Sequence, residues 1–236
     1  MDKKMYSTTK ERLIATPLPQ QTRSYKPVSN QQLIDLTLEG IEKSGFVLDK
    51  ELYSFANDGN QSNGRYVIKS VSDNEMSLMV GWQNSYDKSL SLKFAVGAHI
   101  FICSNGSVVG DMGTFKKKHV GEVQVFAPEK IREYISNAGE LFRTMQLDKE
   151  RMKEIEMTKR TSAELIGRMF LEENIITSTQ LNIIKREMEN PSYDYKADGS
   201  LWQLYNHTTH ALKETHPSLW FKQHAEVHKF VTEYIS

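Results

Sequence analysis

Cysteine is almost absent from this 236-residue chain, which holds Cys103 alone. A single cysteine cannot close an internal disulfide, and secreted domains carry paired sets, so the sequence predicts a cytoplasmic setting. Long apolar runs are missing as well. No stretch approaches the ~18 apolar residues of a membrane span, and the opening MDKKMYSTTKERLIATPLPQQ lacks the apolar core of a signal peptide. No membrane partner is expected. Net charge is missing too, with 30 Lys and Arg against 30 Asp and Glu. A neutral chain is not a bulk polycation, so any nucleic-acid binding must come from a local patch. Residues 1–127 hold 15 basic and 13 acidic side chains and 128–236 hold 15 and 17, so neither half stands out as the DNA-binding half.

The glycines at 97, 106, 110, 113 and 121 fit neither GxGxxG nor GxxxxGK[ST], which removes the usual phosphate-cradling loops. Asp35, Asp87 and Asp111 are scattered without a metal-nuclease spacing. His224 and His228 sit four apart and His207 and His210 three apart, but neither pair belongs to a His-Glu-x-x-His motif. They read as helix-packing histidines, and neither a metal nor a cofactor is expected.

Hydrophobic residues make up 39% and charged residues 25%, the composition of a globular domain. Residues 1–27 are rich in Pro, Gln and Thr, with basic Lys3, Lys4, Lys10, Arg12, Arg23 and Lys26, and read as a flexible basic arm or one draped over the body. Ser29 and Asn30 cap a helix over 31–44, ended by Gly45. The period then changes to that of strands at 47–55, 65–71, 76–83, 90–96 and 99–103. Most of the gaps carry turn residues and are too short for parallel crossovers, which predicts an antiparallel meander. If the chain reverses at Gly97, the turns at 84–89 and 105–106 share one end of the sheet. If it is one strand bent there, they lie at opposite ends, and the poor Gly97-Ala98 hairpin pair favours the bent strand.

From Pro128, placed in a first helical turn, the spacing becomes helical and runs to about Lys159. Further helices are predicted from Thr161-Ser162, over 177–188 and 200–213, and from Pro217 with Trp220, Val227, Phe230 and Val231 inward. Strands followed by helices give an α+β fold with a helix and sheet over 28–127 and a helical region over 128–236, forming one continuous domain.

The most concrete electrostatic feature is Lys116-Lys117-Lys118-His119 beside a Gly-rich turn. Consecutive donors can neutralise several phosphates, and Trp82 and Tyr86 could stack bases. The plainer account of such a run is a solvated loop. Cys103 with His119 could form a thiolate–imidazole pair, but no third orienting residue stands at a known spacing. A small cysteine ending an apolar strand reads as core.

Three stretches carry a family resemblance: Asn84-Ser85-Tyr86-Asp87-Lys88-Ser89, His99 to Cys103-Ser104-Asn105-Gly106 followed by Val109-Gly110-Asp111, and Phe115 to His119-Val120-Gly121. A fainter match lies at Leu201 to Thr209. On these residues the chain resembles, over roughly 47–232, a phage- and plasmid-borne family known only as domain of unknown function 932. Members usually carry an Arg or similar polar group before the Val-Cys-x-Asn stretch, where this chain reads Ala98-His99-Ile100-Phe101. The mobile-element setting implies DNA replication or recombination, virion assembly, or countering host defence. The strand-then-helix order is also similar to single-strand annealing proteins, at the level of fold alone.

Three expectations follow. The first is a non-catalytic, DNA-associated protein gripping single-stranded DNA through Lys116, Lys117, Lys118 and His119, with Trp82 or Tyr86 as platforms. The second is an interaction protein, a virion component or an inhibitor of a host system, with a host or phage partner. The third is an enzyme built on Asn84, Asp87, Cys103, Asn105 and His119. A homo-oligomer suits all three, because a meander has edges to cover.

Overall fold

The computed structural model of the chain describes residues 6–73, 75–100, 106–108, 114–195, 197–215 and 219–235, with backbone alone at Ser70, 106–108 and Thr114. Cys103, Asn105 and Pro217 lie outside the described residues.

The fold is α+β. Strands β1 (Tyr6–Thr8), β2 (Leu48–Ala56), β3 (Gln61–Ser72), β4 (Met76–Ser85) and β5 (Leu92–Ile100) form an antiparallel meander in sequence order. Strands β6 (Gly106–Val108) and β7 (Thr114–Lys117) both pair with the far edge of β5, at Gly97–His99 and Leu92–Ala95. Strand β5 runs unbroken through Gly97, so the 85–91 turn and Gly106 stand at opposite ends of it.

Successive residues of a strand point to opposite faces, and paired residues share one. The row Tyr53–Gly64–Trp82–Phe94–Phe115 crosses the sheet on the inner face. Gly64 is required there, because a Cβ would sit 2.7 Å from the Trp82 ring. This face meets α2 (Asn30–Lys43), α3 (Val123–Ser136) and α4 (Ala138–Glu154), and the core continues into the helical half through α7 (Leu201–Ala211). The outer face carries Arg65, Gly81, Lys93 and Ala95, and there Phe221 from the first turn of α8 (Trp220–Tyr234) packs on Ala95.

Several expectations change. Residues 6–27 take the draped form of the arm rather than the flexible one: β1 pairs with β2, Leu13 of α1 (Lys10–Ile14) is buried, and Tyr25 is buried against the 85–86 backbone. Helix α3 begins at Val123, leaving Pro128 inside the helix rather than in its first turn. The long helix expected from 128 to about 159 divides at Asn137, which ends α3 and starts α4. Helix α5 (Lys159–Gly167) is capped by Thr158, whose hydroxyl accepts from Thr161 N. Thr177 caps α6 (Ser178–Glu189) with a reciprocal bond from Gln180.

Candidate nucleic-acid interface

The tri-lysine run lies on a strand, not in a turn, and that divides it. Lys116 pairs with Lys93 on the outer face, whereas Lys117 pairs with Leu92 on the inner side and lays its ammonium 4.7 Å from the Phe126 ring. Lys118 follows the strand and is exposed. His119 is buried beside Tyr25, ring centroids 5.9 Å apart, and neither ring nitrogen has a hydrogen bond. Burial pushes its pKa down and favours the uncharged ring. At 5% exposure it offers little surface to a phosphate.

Neither expected stacking platform is available. Trp82 is fully buried and donates through Nε1 to the Tyr66 hydroxyl at 3.2 Å. Tyr86 is buried, and its hydroxyl accepts from Asn30 N at 2.8 Å. The other motif residues hold the fold. Asn84 donates to Val28 O and to Asn30 Oδ1, Ser85 Oγ exchanges bonds with Leu90, and Asp87 accepts from Ser89 N and Asn57 Nδ2. With Asn84 and Asp87 engaged in this way, the enzyme reading loses two of its side chains.

What gathers instead is a basic surface on the outer face. Burial lowers the pKa of Lys93, and the charges of Lys116 and Lys222 lower it further. Arg65, on the next row, is half-buried with its Nε lacking a hydrogen bond, and burial disfavours its charge. Its guanidinium lies 6.0 Å from the Trp220 ring. Beneath Trp220 sits His224, ring centroids 4.3 Å apart, driven down to about 3 by burial and then by Arg65. Lys222 has Glu226 at 3.3 Å. Among the described residues, no carboxylate lies within 4 Å of Lys116 or Arg65.

Lys93, Arg65 and Lys222 were not singled out from the sequence, and Trp220, expected to face inward with Val227, Phe230 and Val231, is instead half-buried, its neighbour Phe221 taking the enclosed position. The alternation Leu92-Lys93-Phe94-Ala95-Val96 carries the signal for Lys93, since its apolar neighbours must face the core. Nothing local shows that α8 lays Trp220 beside Arg65. The histidine pairs part company as well: His224 lies under Trp220, while His228 faces the Tyr205 hydroxyl at 3.2 Å. Among the described residues, no three metal-ligating side chains come together, and no helix is long and apolar enough to cross a membrane.

A family model described as Domain of unknown function (DUF932) matches residues 17–229. The chain belongs to this family. No curated protein and no solved structure matches it. The DUF932 match takes in the 84–89 turn, the β5–β7 ladder and most of α8, and leaves β1 and α1 outside.

Proposed function

We propose that this DUF932 protein is a non-catalytic, DNA-associated protein of the kind a mobile element encodes, and that it holds single-stranded DNA against the outer face of its sheet. One observation carries the reading: Lys93 and Lys116 are cross-strand partners on the outer face, with Lys222 near enough for the three charges to oppose one another, and Arg65 on the same face carries the half-buried Trp220 ring. Like charges in proximity cost free energy that a polyanion would relieve, and each neutralised phosphate releases counterion. An aromatic ring beside them suits base stacking.

Salt-graded binding to single- and double-stranded oligonucleotides, read with the oligomeric mass, tests this. Replacing Lys93, Lys116 and Lys222 with Ala is expected to weaken binding and flatten the salt slope by about two, at ~0.7 per lost single-strand phosphate contact. Unchanged affinity and slope would remove the reading.

One feature favours a protein partner instead. Strand β7 is an edge among the described residues, and Val120 and Val125 nearby are exposed. The lysines of β7 can serve to keep that edge from pairing. This second reading predicts no binding to DNA at moderate salt, together with a mass above that of the monomer or a recoverable partner.

A further inference from the structure

Helix α8 is buried in two separate places. Its later turns put Val227, Phe230 and Val231 into the main hydrophobic core. Among the described residues, none from its first two turns enters that core. Phe221 instead packs on Ala95 in a small cluster of its own, with Trp220 and Ala225 partly buried against it. The sheet beneath is bare at Gly81, where a Cβ would stand 3.6 Å from Phe221 Cζ and 3.0 Å from Gly64 O. A helix seated in this way can give up its smaller cluster while the larger one holds, because local opening starts where few apolar contacts are buried.

Three polar features work against the smaller cluster. His224 is 2% exposed beneath Trp220, and its Nδ1 has no hydrogen bond. Arg65 Nε is buried without an acceptor, and burial disfavours the guanidinium charge. Lys222 rides on the first turn, and its charge opposes that of Lys93 on β5, as does the charge of Lys116 on β7. Glu226 lies 3.3 Å from Lys222, but both side chains are exposed, so the pair is a weak restraint. Buried polar atoms without partners and like charges held together both cost free energy. Both costs are relieved when the first turns come away from the sheet.

The same turns complete the basic face. Lys93, Lys116 and Arg65 belong to the sheet, whereas Lys222 joins them only while the start of α8 is seated. A strand of phosphates among these groups would cancel their repulsion and supply Arg65 with a counter-charge. By reciprocity, whatever the seated turns add to the binding of that strand, the strand returns to their seating. We propose that residues 220–226 are a strap, which comes loose from the sheet in the free protein and is fastened by a bound single strand. The fastening rests on the DNA-binding reading given above; the loosening does not.

Thiol labelling of the full chain tests the strap. In a Cys103→Ser background, Ala95→Cys places a thiol under the first turns of α8 and Val227→Cys places one in the main core, both at buried positions. Each rate is taken relative to the same variant in urea. Without ligand, Ala95→Cys is expected to label about tenfold faster than Val227→Cys. Lys222→Gln, which removes the repulsion, is expected to slow Ala95→Cys labelling by about threefold at low salt. A saturating short oligothymidylate is expected to slow it by about tenfold. Equal rates for the two thiols without ligand would overturn the strap. A strand that binds without slowing Ala95→Cys would overturn the fastening and leave the DNA-binding reading intact. A strand that does not bind would remove that reading and the fastening together, and the unliganded rates would still decide the loosening.

Discussion

Asn84 Nδ2 stands 2.9 Å from both Asn30 Oδ1 and the Val28 carbonyl, so one buried amide joins the fourth strand to the start of α2. Asn30 Oδ1 also accepts from Ser62 Oγ at 2.8 Å, and Asn30 Nδ2 reaches Leu13 O at 3.3 Å. Four segments distant in sequence meet on two side-chain amides. The family stretch that begins at Asn84 is thus a fastening of the fold.

Asn84→Ala is expected to lower stability by about 1–3 kcal/mol, because it leaves the Val28 carbonyl buried without its donor. Chemical denaturation reads the loss directly. Oligonucleotide affinity of the folded fraction should not change, since Asn84 is fully buried and lies away from the outer face.

Lys149 is expected to matter more than any surface lysine. Its side chain is 5% exposed and meets Asp73 at 2.7 Å, Glu150 at 3.1 Å and Glu75 at 3.6 Å, pinning α4 to the β3–β4 turn. Lys149→Met takes one charge partner from each of two half-buried carboxylates. Asp73 and Glu75 keep 25% and 24% of their exposure, and Lys153 still holds Glu75, so the cost should be about 2–4 kcal/mol rather than the full loss of a buried pair. The midpoint of thermal unfolding measures it.

Acid should weaken the fold before most carboxylates titrate. Burial holds His224 down at about 3 and His228 at about 4, while both return to about 6.5 in the unfolded chain. Between these values the unfolded state binds more protons, so stability falls as pH drops through 6.5. From pH 7 to pH 5 the two together remove about 4 kcal/mol. Asp148, whose carboxyl burial pushes up, acts in the opposite sense and trims the loss at lower pH. Urea titrations at pH 7 and pH 5 check the sign, and equal midpoints would contradict the burial of these rings.

Trp220 is the one tryptophan near the basic face that is not fully enclosed. Trp220→Ala is expected to weaken single-stranded oligonucleotide binding by about 1–3 kcal/mol, the worth of one stacked base. Fluorescence of the natural protein should respond on addition of the oligonucleotide.

The meander was legible because its cues are local. Apolar residues alternate along 76–83 and 90–96, and Asn57-Asp58-Gly59 and Ser85 to Lys88 carry turn chemistry, with Asn57, Asp58 and Lys88 all in left-handed backbone. The cap at Ser29 was legible for the same reason, as were the helix starts at 177 and 200. The candidate site was not. Reading 115–119 as a turn made its lysines seem coplanar, whereas strand pairing with β5 sends Lys116 and Lys117 to opposite faces. Aromatic residues look alike in sequence whether they fill a core or await a ligand. Only the room left by Gly64 shows that Trp82 belongs inside. Arg65 and Trp220 are 155 positions apart, and no spacing rule joins them.

The stretch from Gln20 to Ser24 is exposed, yet both its flanks are seated. On one side β1 adds to the sheet and Leu13 enters the core. On the other, Tyr25 reaches the 85–86 backbone, Lys26 N meets His119 O at 2.8 Å, and Gln124 donates to Pro27 O at 2.9 Å. A protease cutting after Arg23 would therefore sever the chain without releasing either piece. The short fragment should co-purify with the remainder until denaturant is added, and a chain expressed without it should be rescued by supplying it as a separate peptide.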